Sequence, residues 1–220
     1  MRNNKKLAMP FLKQEAPLDS LKIRVVGISG SLRKDSLTTS ALRTALLGSA
    51  EAGAATELID LREYDLIFAG GENHRLAAPG VARLKQQVKQ AHGILLGTPE
   101  YHGSFSGVLK NALDLMGFDE FEGKMIGLIG VSAGRLGAFD ALNSLRSVGR
   151  ALHAWVVPEQ VSIPEAWRCF DDAGRLRDSK LAERLHHVGR RVAEFAWLHE
   201  CGRAREFVEF WESAMENPGG

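Results

Sequence analysis

The apolar runs in this chain carry no polar alternation, and that restricts the fold more than any other feature. Ile23–Ile28, Gly93–Gly97 and Lys124–Val131 are nearly continuous in aliphatic and small residues. A strand half-exposed to water alternates apolar with polar, so runs like these belong to a sheet covered on both faces. Helical periods separate them. Leu37, Ala41, Leu42, Ala45 and Leu46 share one face of a helix over Ser36–Ala50, and Val81, Leu84, Val88 and Ala91 mark a second. Phe105, Val108, Leu109, Ala112, Leu113 and Met116 line a third over Ser104–Met116, a fourth covers Leu136–Gly149, and Leu181, Leu185, Val188, Val192 and Phe195 mark the last. With Thr56–Leu61 and His153–Val157 as further strands, the pattern predicts an α/β fold. It is a doubly wound, five-stranded parallel sheet with helices on both faces.

In such a sheet ligands bind beyond the carboxyl ends of the strands, where the winding reverses. Three polar loops open on that edge. The first, Ser29-Gly30-Ser31-Leu32-Arg33-Lys34-Asp35-Ser36, joins a strand to a helix N-terminus and suits a phosphate: free backbone N–H groups, hydroxyls from Ser31, Ser36 and Thr38, and the guanidinium of Arg33. It is neither a Walker A loop nor a GxGxxG fingerprint, and Asp60 after strand two reads as a turn residue. The second loop is Thr98-Pro99-Glu100-Tyr101-His102-Gly103, the third Ser132-Ala133-Gly134-Arg135. The connection from Arg62 to Pro79 is longer than most and reads as a surface loop.

Two of these segments carry a family likeness. Gly-Ile-Ser-Gly-Ser-Leu-Arg-Lys-Asp-Ser (Gly27–Ser36), followed by Thr-Pro-Glu-Tyr-His-Gly-Ser-Phe-Ser-Gly-Val-Leu-Lys-Asn-Ala-Leu-Asp (Thr98–Asp114), resembles the NAD(P)H-dependent FMN reductases. These are flavodoxin-like proteins that include quinone, azo and chromate reductases. The resemblance implies FMN as cofactor, NADPH or NADH as co-substrate, and a small acceptor: a quinone, free flavin, azo compound or oxyanion. It implies a phosphate cradle from Ser31, Leu32, Arg33, Ser36, Leu37 and Thr38. Pro99, Glu100, Tyr101, His102 and Gly103 would line the flavin ring, with the backbone of Glu100 rather than its carboxylate in contact. Ser132 and Gly134 would approach from the other side. Thr38 and His102 stand where the family often has Asn. The resemblance also implies a homodimer or homotetramer. It names no catalytic residue, because the flavin carries the redox chemistry.

Composition limits the rest. A formal net charge of +1 over 220 residues gives no bias toward nucleic acid or an anionic membrane. It also disfavours a flavodoxin-like electron carrier, a class usually strongly acidic. Cys169 and Cys201 form no CxxC, which fits a reducing cytoplasm. No HExxH is present and no metal site is expected. The rival enzyme class is a serine hydrolase, since Gly130-Val131-Ser132-Ala133-Gly134 matches G-x-S-x-G, with Asp171 or Asp172 and His186 or His187 following in order. It leaves the first two loops without a purpose. The organisation expected is a flexible leader over residues 1–20, a flavodoxin-like domain over 21–199 and a C-terminal helical extension over 200–220.

Overall fold

The computed structural model describes residues 22–70 and 78–201. The expected leader, residues 71–77 of the long connection after strand two and the helical extension with Phe207 and Trp211 lie outside the described residues.

Strand β1 (Arg24–Ser29) lies inside the sheet, pairing in parallel with β2 (Ala55–Asp60) on one side and β3 (Gly93–Tyr101) on the other. Beyond β3 lie β5 (Met125–Val131) and β6 (Trp155–Ile163), also parallel, giving the order β2-β1-β3-β5-β6. Five parallel strands in the flavodoxin-like order agree with the sequence. A sixth, β4 (Ser104–Phe105), folds back antiparallel on the end of β3.

The period-two geometry of strands divides the core. Val25, Leu95 and Ile129 face helices α1 (Leu37–Glu51) and α7 (Ser179–Glu200). Val26, Ile28, Ile94, Leu96, Ile126 and Leu128 face the other way, against α2 (Pro79–Lys89), α3 (Gly107–Asp114) and α5 (Phe139–Ala151). Short α4 (Phe118–Phe121) buries Phe121 in that second layer, and α6 (Ala166–Cys169) follows β6.

Several boundaries differ from those read in the sequence, each for a local reason. β3 extends to Tyr101, because Thr98 and Pro99 pair with β5 and Glu100 and Tyr101 pair with β4. Much of the second polar loop is therefore strand. Ser104 and Phe105 leave the helix for this hairpin, and α3 begins after Ser106, whose hydroxyl caps it by accepting from Leu109 N at 3.2 Å. The fifth strand of the pattern lies at 155–163, not 153–157. His153 sits in a turn at φ 58°, and Pro158 is tolerated because β6 is an edge.

Helices α1 and α7 touch backbone to backbone. A Cβ on Gly189 would stand 1.8 Å from the Ala45 carbonyl oxygen, and Ser49 Oγ donates to the Gly189 carbonyl at 2.7 Å. Gly189→Ala must push the two helices apart. It should lower unfolding free energy by ~3 kcal/mol in urea titration, at the high end for overpacking. A variant as stable as the parent would mean the helices do not meet this way.

Candidate functional site

The carboxyl ends of β1, β3 and β5 open into one cleft of about 250 Å³. Ser31, Arg33, Asp35, Ser36, Leu37 and Thr38 line one side, Pro99, Glu100 and Tyr101 another, and Val131, Ser132 and Ala133 the third. The three loops singled out in the sequence thus meet.

The first loop is held by hydrogen bonds to the rest of the fold. Gly30 N donates to the Gly97 carbonyl at 2.8 Å, and Ser106 Oγ donates to the Gly30 carbonyl at 2.6 Å. Ser106 N in turn donates to Thr98 Oγ1 at 3.0 Å, so β1, β3 and the start of α3 form one buried network. Ser36 is the N-cap of α1, its hydroxyl accepting from Thr39 N at 3.2 Å. Leu37 and Thr38 then follow as the first helical residues, whose N–H groups have no acceptor within a helix. Ser31, Ser36 and Thr38 are buried while Arg33 is exposed, so a firm polar floor lies under a movable charge. This donor set fits a phosphate.

A second tether reaches the loop from β2. Asp60 caps the turn after β2 and pairs with Arg62, whose Nη1 donates to the Lys34 carbonyl at 3.1 Å. Asp60 is therefore more than a turn residue: it orients the arginine that pins the first loop.

The second wall is rigid for a different reason. His102 at φ 52° and Gly103 at φ 74° form the two-residue turn between β3 and β4. Two left-handed residues in such a turn favour Asn-Gly, so His102 occupies an Asn-like backbone position. Both residues are exposed at the hairpin tip and are not among the residues that line the cleft. Leu32 is also exposed and outside the lining. So is Gly134, whose carbonyl instead accepts from Glu165 N at 3.1 Å.

The Glu100 carboxylate is engaged elsewhere. Its Oε2 accepts from Ala141 N at 3.2 Å in the first turn of α5, whose own N-cap, Ala138, has no side chain to offer. A carboxylate at a helix N-terminus is favourably placed. This arrangement favours the backbone of residues 99–101, over the Glu100 carboxylate, as the surface a ligand meets.

The lining also holds Trp167 and Ala166 from α6, which sequence reading missed. No periodicity distinguishes a one-turn helix, and reading the last strand as ending at Val157 left 158–178 without a place in the fold.

A hydrolase triad is not assembled. Ser132 Oγ accepts from Gly134 N at 3.1 Å, His186 and His187 pair with Glu51 and Glu159, and Asp171 is engaged by Arg175. Among the described residues no cluster of three or more His, Cys, Asp or Glu is placed to hold a metal, and no helix is long and apolar enough to cross a membrane.

The family model for NADPH-dependent FMN reductase matches residues 23–168. The chain belongs to this family. It is 39% identical over 170 residues to an NAD(P)H-dependent FMN reductase of Pseudomonas aeruginosa, covering 73% of this chain and 88% of that protein. It is 36% identical over 127 residues to an NADPH azoreductase of Bacillus sp., covering 58% and 67%. Among solved structures, the flavoenzyme NAD(P)H:(acceptor) oxidoreductase of Paracoccus denitrificans aligns with TM-score 0.62 and 29% identity, over 80% of this chain and 98% of that one. The chain is thus an FMN-dependent oxidoreductase that uses NAD(P)H.

The Asp60–Arg62 pair makes the tether sensitive to acid. Hydrogen bonds from Arg62 hold the Asp60 carboxyl below its ordinary value, so the folded state binds fewer protons than the unfolded chain. The stabilisation is present above the ordinary carboxylate range and is lost as pH falls through the lowered folded value. Asp60→Asn should be ~1–3 kcal/mol less stable than the parent at pH 7, the gap closing below about pH 4, in denaturant titrations. A gap constant with pH would contradict the assignment.

Proposed function

We propose that the cleft holds FMN with its phosphate against the first loop and its ring against residues 99–101. The observation that carries this is the convergence of three buried hydroxyls, the N-terminus of α1 and Arg33 at one end of the cleft. Opposite them stands the hairpin wall held by Glu100 and by the turn at residues 102–103. Ser31, Arg33, Ser36 and Thr38, with the backbone of Leu37, bind and neutralise the phosphate. Pro99, Glu100 and Tyr101 orient the ring, Pro99 through its fixed φ and Tyr101 through an amphipathic face. Ser132 and Ala133 close the other side.

When bound, FMN supplies the redox chemistry, taking hydride from NAD(P)H and passing electrons to an acceptor. The chain's own residues position, exclude water and hold charge; none is assigned as acid or base. The acceptor is a small organic molecule or oxyanion that enters the same open cleft. Leu136 and Phe139, exposed at the start of α5 beside the β3–β4 hairpin, support a homodimer or homotetramer. Cys169 and Cys201, unpaired with one another, support a reducing cytoplasm.

Arg33→Ala combined with Ser36→Ala should weaken FMN binding about a hundredfold, as expected for two lost phosphate contacts, one of them charged. Ser132→Ala should retain FMN within about threefold, because Ser132 stands on the third loop, apart from the phosphate cradle. Titration of the apo-protein with FMN, followed by flavin fluorescence, reads both. Unchanged affinity in the double variant would contradict the phosphate assignment. The parent loaded with FMN should bleach on anaerobic addition of NADPH; a flavin left oxidised by both NADPH and NADH would contradict the reductase reading.

A further inference from the structure

We infer that Trp167 is a specificity-determining residue that binds planar aromatic electron acceptors by stacking at the rim of the cleft. The inference rests on the reading of this cleft as the FMN site.

Trp167 is 63% exposed although it lines the cleft. Its neighbours in the same turn are core: Ala166 and Phe170 are each 3% exposed. The one-turn helix therefore has its own anchors and does not need the indole for folding. The indole is nonetheless held in place. Arg168 lies over its ring at 5.0 Å, and Glu165 holds Arg168 at 3.3 Å. The segment is also bound to the third loop. Ser132 N donates to the Ile163 carbonyl at 2.9 Å, Ala166 N to the Ser132 carbonyl at 2.9 Å, and Glu165 N to the Gly134 carbonyl at 3.1 Å.

The backbone bears strain to reach this position. Glu165 has φ 40° and ψ 47°, a left-handed conformation unfavourable for a residue with a Cβ. It turns the chain back over the strand ends, and strain of this kind persists where the surrounding structure enforces it, commonly beside a ligand.

The sheet order separates the indole from the phosphate cradle. Trp167 follows β6, three strands from β1, or roughly 14 Å at the usual strand spacing. It stands at the rim of the cleft away from the phosphate cradle. Its chemistry narrows the acceptor class. The indole offers area and a negative quadrupole, which favour an offset-stacked aromatic ring on the face that Arg168 does not cover.

The test uses FMN-loaded, oxidised protein without NAD(P)H, titrated calorimetrically with anthraquinone-2-sulfonate. Trp167→Ala should bind it about tenfold more weakly, and Trp167→Phe within about threefold of the parent, as stacking energies imply. FMN affinity, read on the apo-protein, should stay within about threefold in both variants, since the phosphate contacts are untouched. In turnover, KM for a naphthoquinone should rise in Trp167→Ala with kcat kept, while ferricyanide reduction is unchanged. Equal anthraquinone affinity in Trp167→Ala would overturn the inference. So would weakened FMN binding, which would assign the indole to the cofactor. A parent that takes up no FMN would instead overturn the cofactor reading of the cleft.

Discussion

The reversal of winding between β1 and β3 is the constraint on which the rest depends. From β1 the chain crosses by α1 on one face to β2, then returns by α2 on the other face to β3. Right-handed crossovers on opposite faces leave the loops after β1 and β3 diverging, and a crevice opens between them. Polar groups of the loops after β1 and β3 line that crevice. Loops elsewhere on the edge inherit the position: the turn after β5 borders the crevice because β5 pairs with β3 as far as Val131.

Polar groups in the crevice are divided between holding the fold and facing the cleft. Ser29 Oγ hydrogen-bonds Thr39 Oγ1 at 2.8 Å, Ser106 and Thr98 join the first loop to β3, and Glu100 caps α5. Those groups are committed to structure. Ser31, Arg33, Thr38 and the N–H groups at the start of α1 face the cleft and are the groups proposed to hold the cofactor. This division explains how a chain of nearly neutral charge presents a local anion site: the donors are backbone amides and hydroxyls fixed by the fold, supplemented by one guanidinium.

Much of this was legible in the sequence because it depends on periodicity and on short-range caps. The buried strands at 23–28, 93–97 and 124–131, the helix beginning at Ser36 and the loops at their ends all follow from local pattern. The errors share a cause as well. The hairpin at residues 100–105 depends on pairing between two short segments, and the positive φ of Gly103 serves the turn it makes with His102. The register of β6 is set by β5 and not by its own apolar run, which is interrupted by Pro158 and Glu159. Trp167 reaches the cleft through a backbone reversal at Glu165 that no composition signals. The Glu100–Ala141 contact joins residues 41 apart in sequence, beyond the reach of any local rule.

The comparison that tests the central claim most directly is the affinity of the apo-protein for FMN against riboflavin, measured by flavin fluorescence under identical conditions. The two share the ring and ribityl chain and differ in the phosphate. If the N-terminus of α1 with Ser31, Arg33, Ser36 and Thr38 is the phosphate cradle, FMN binds at least about a hundredfold more tightly, as several charge-assisted hydrogen bonds require. Equal affinity for the two would contradict the cradle, and with it the placement of the cofactor in this cleft.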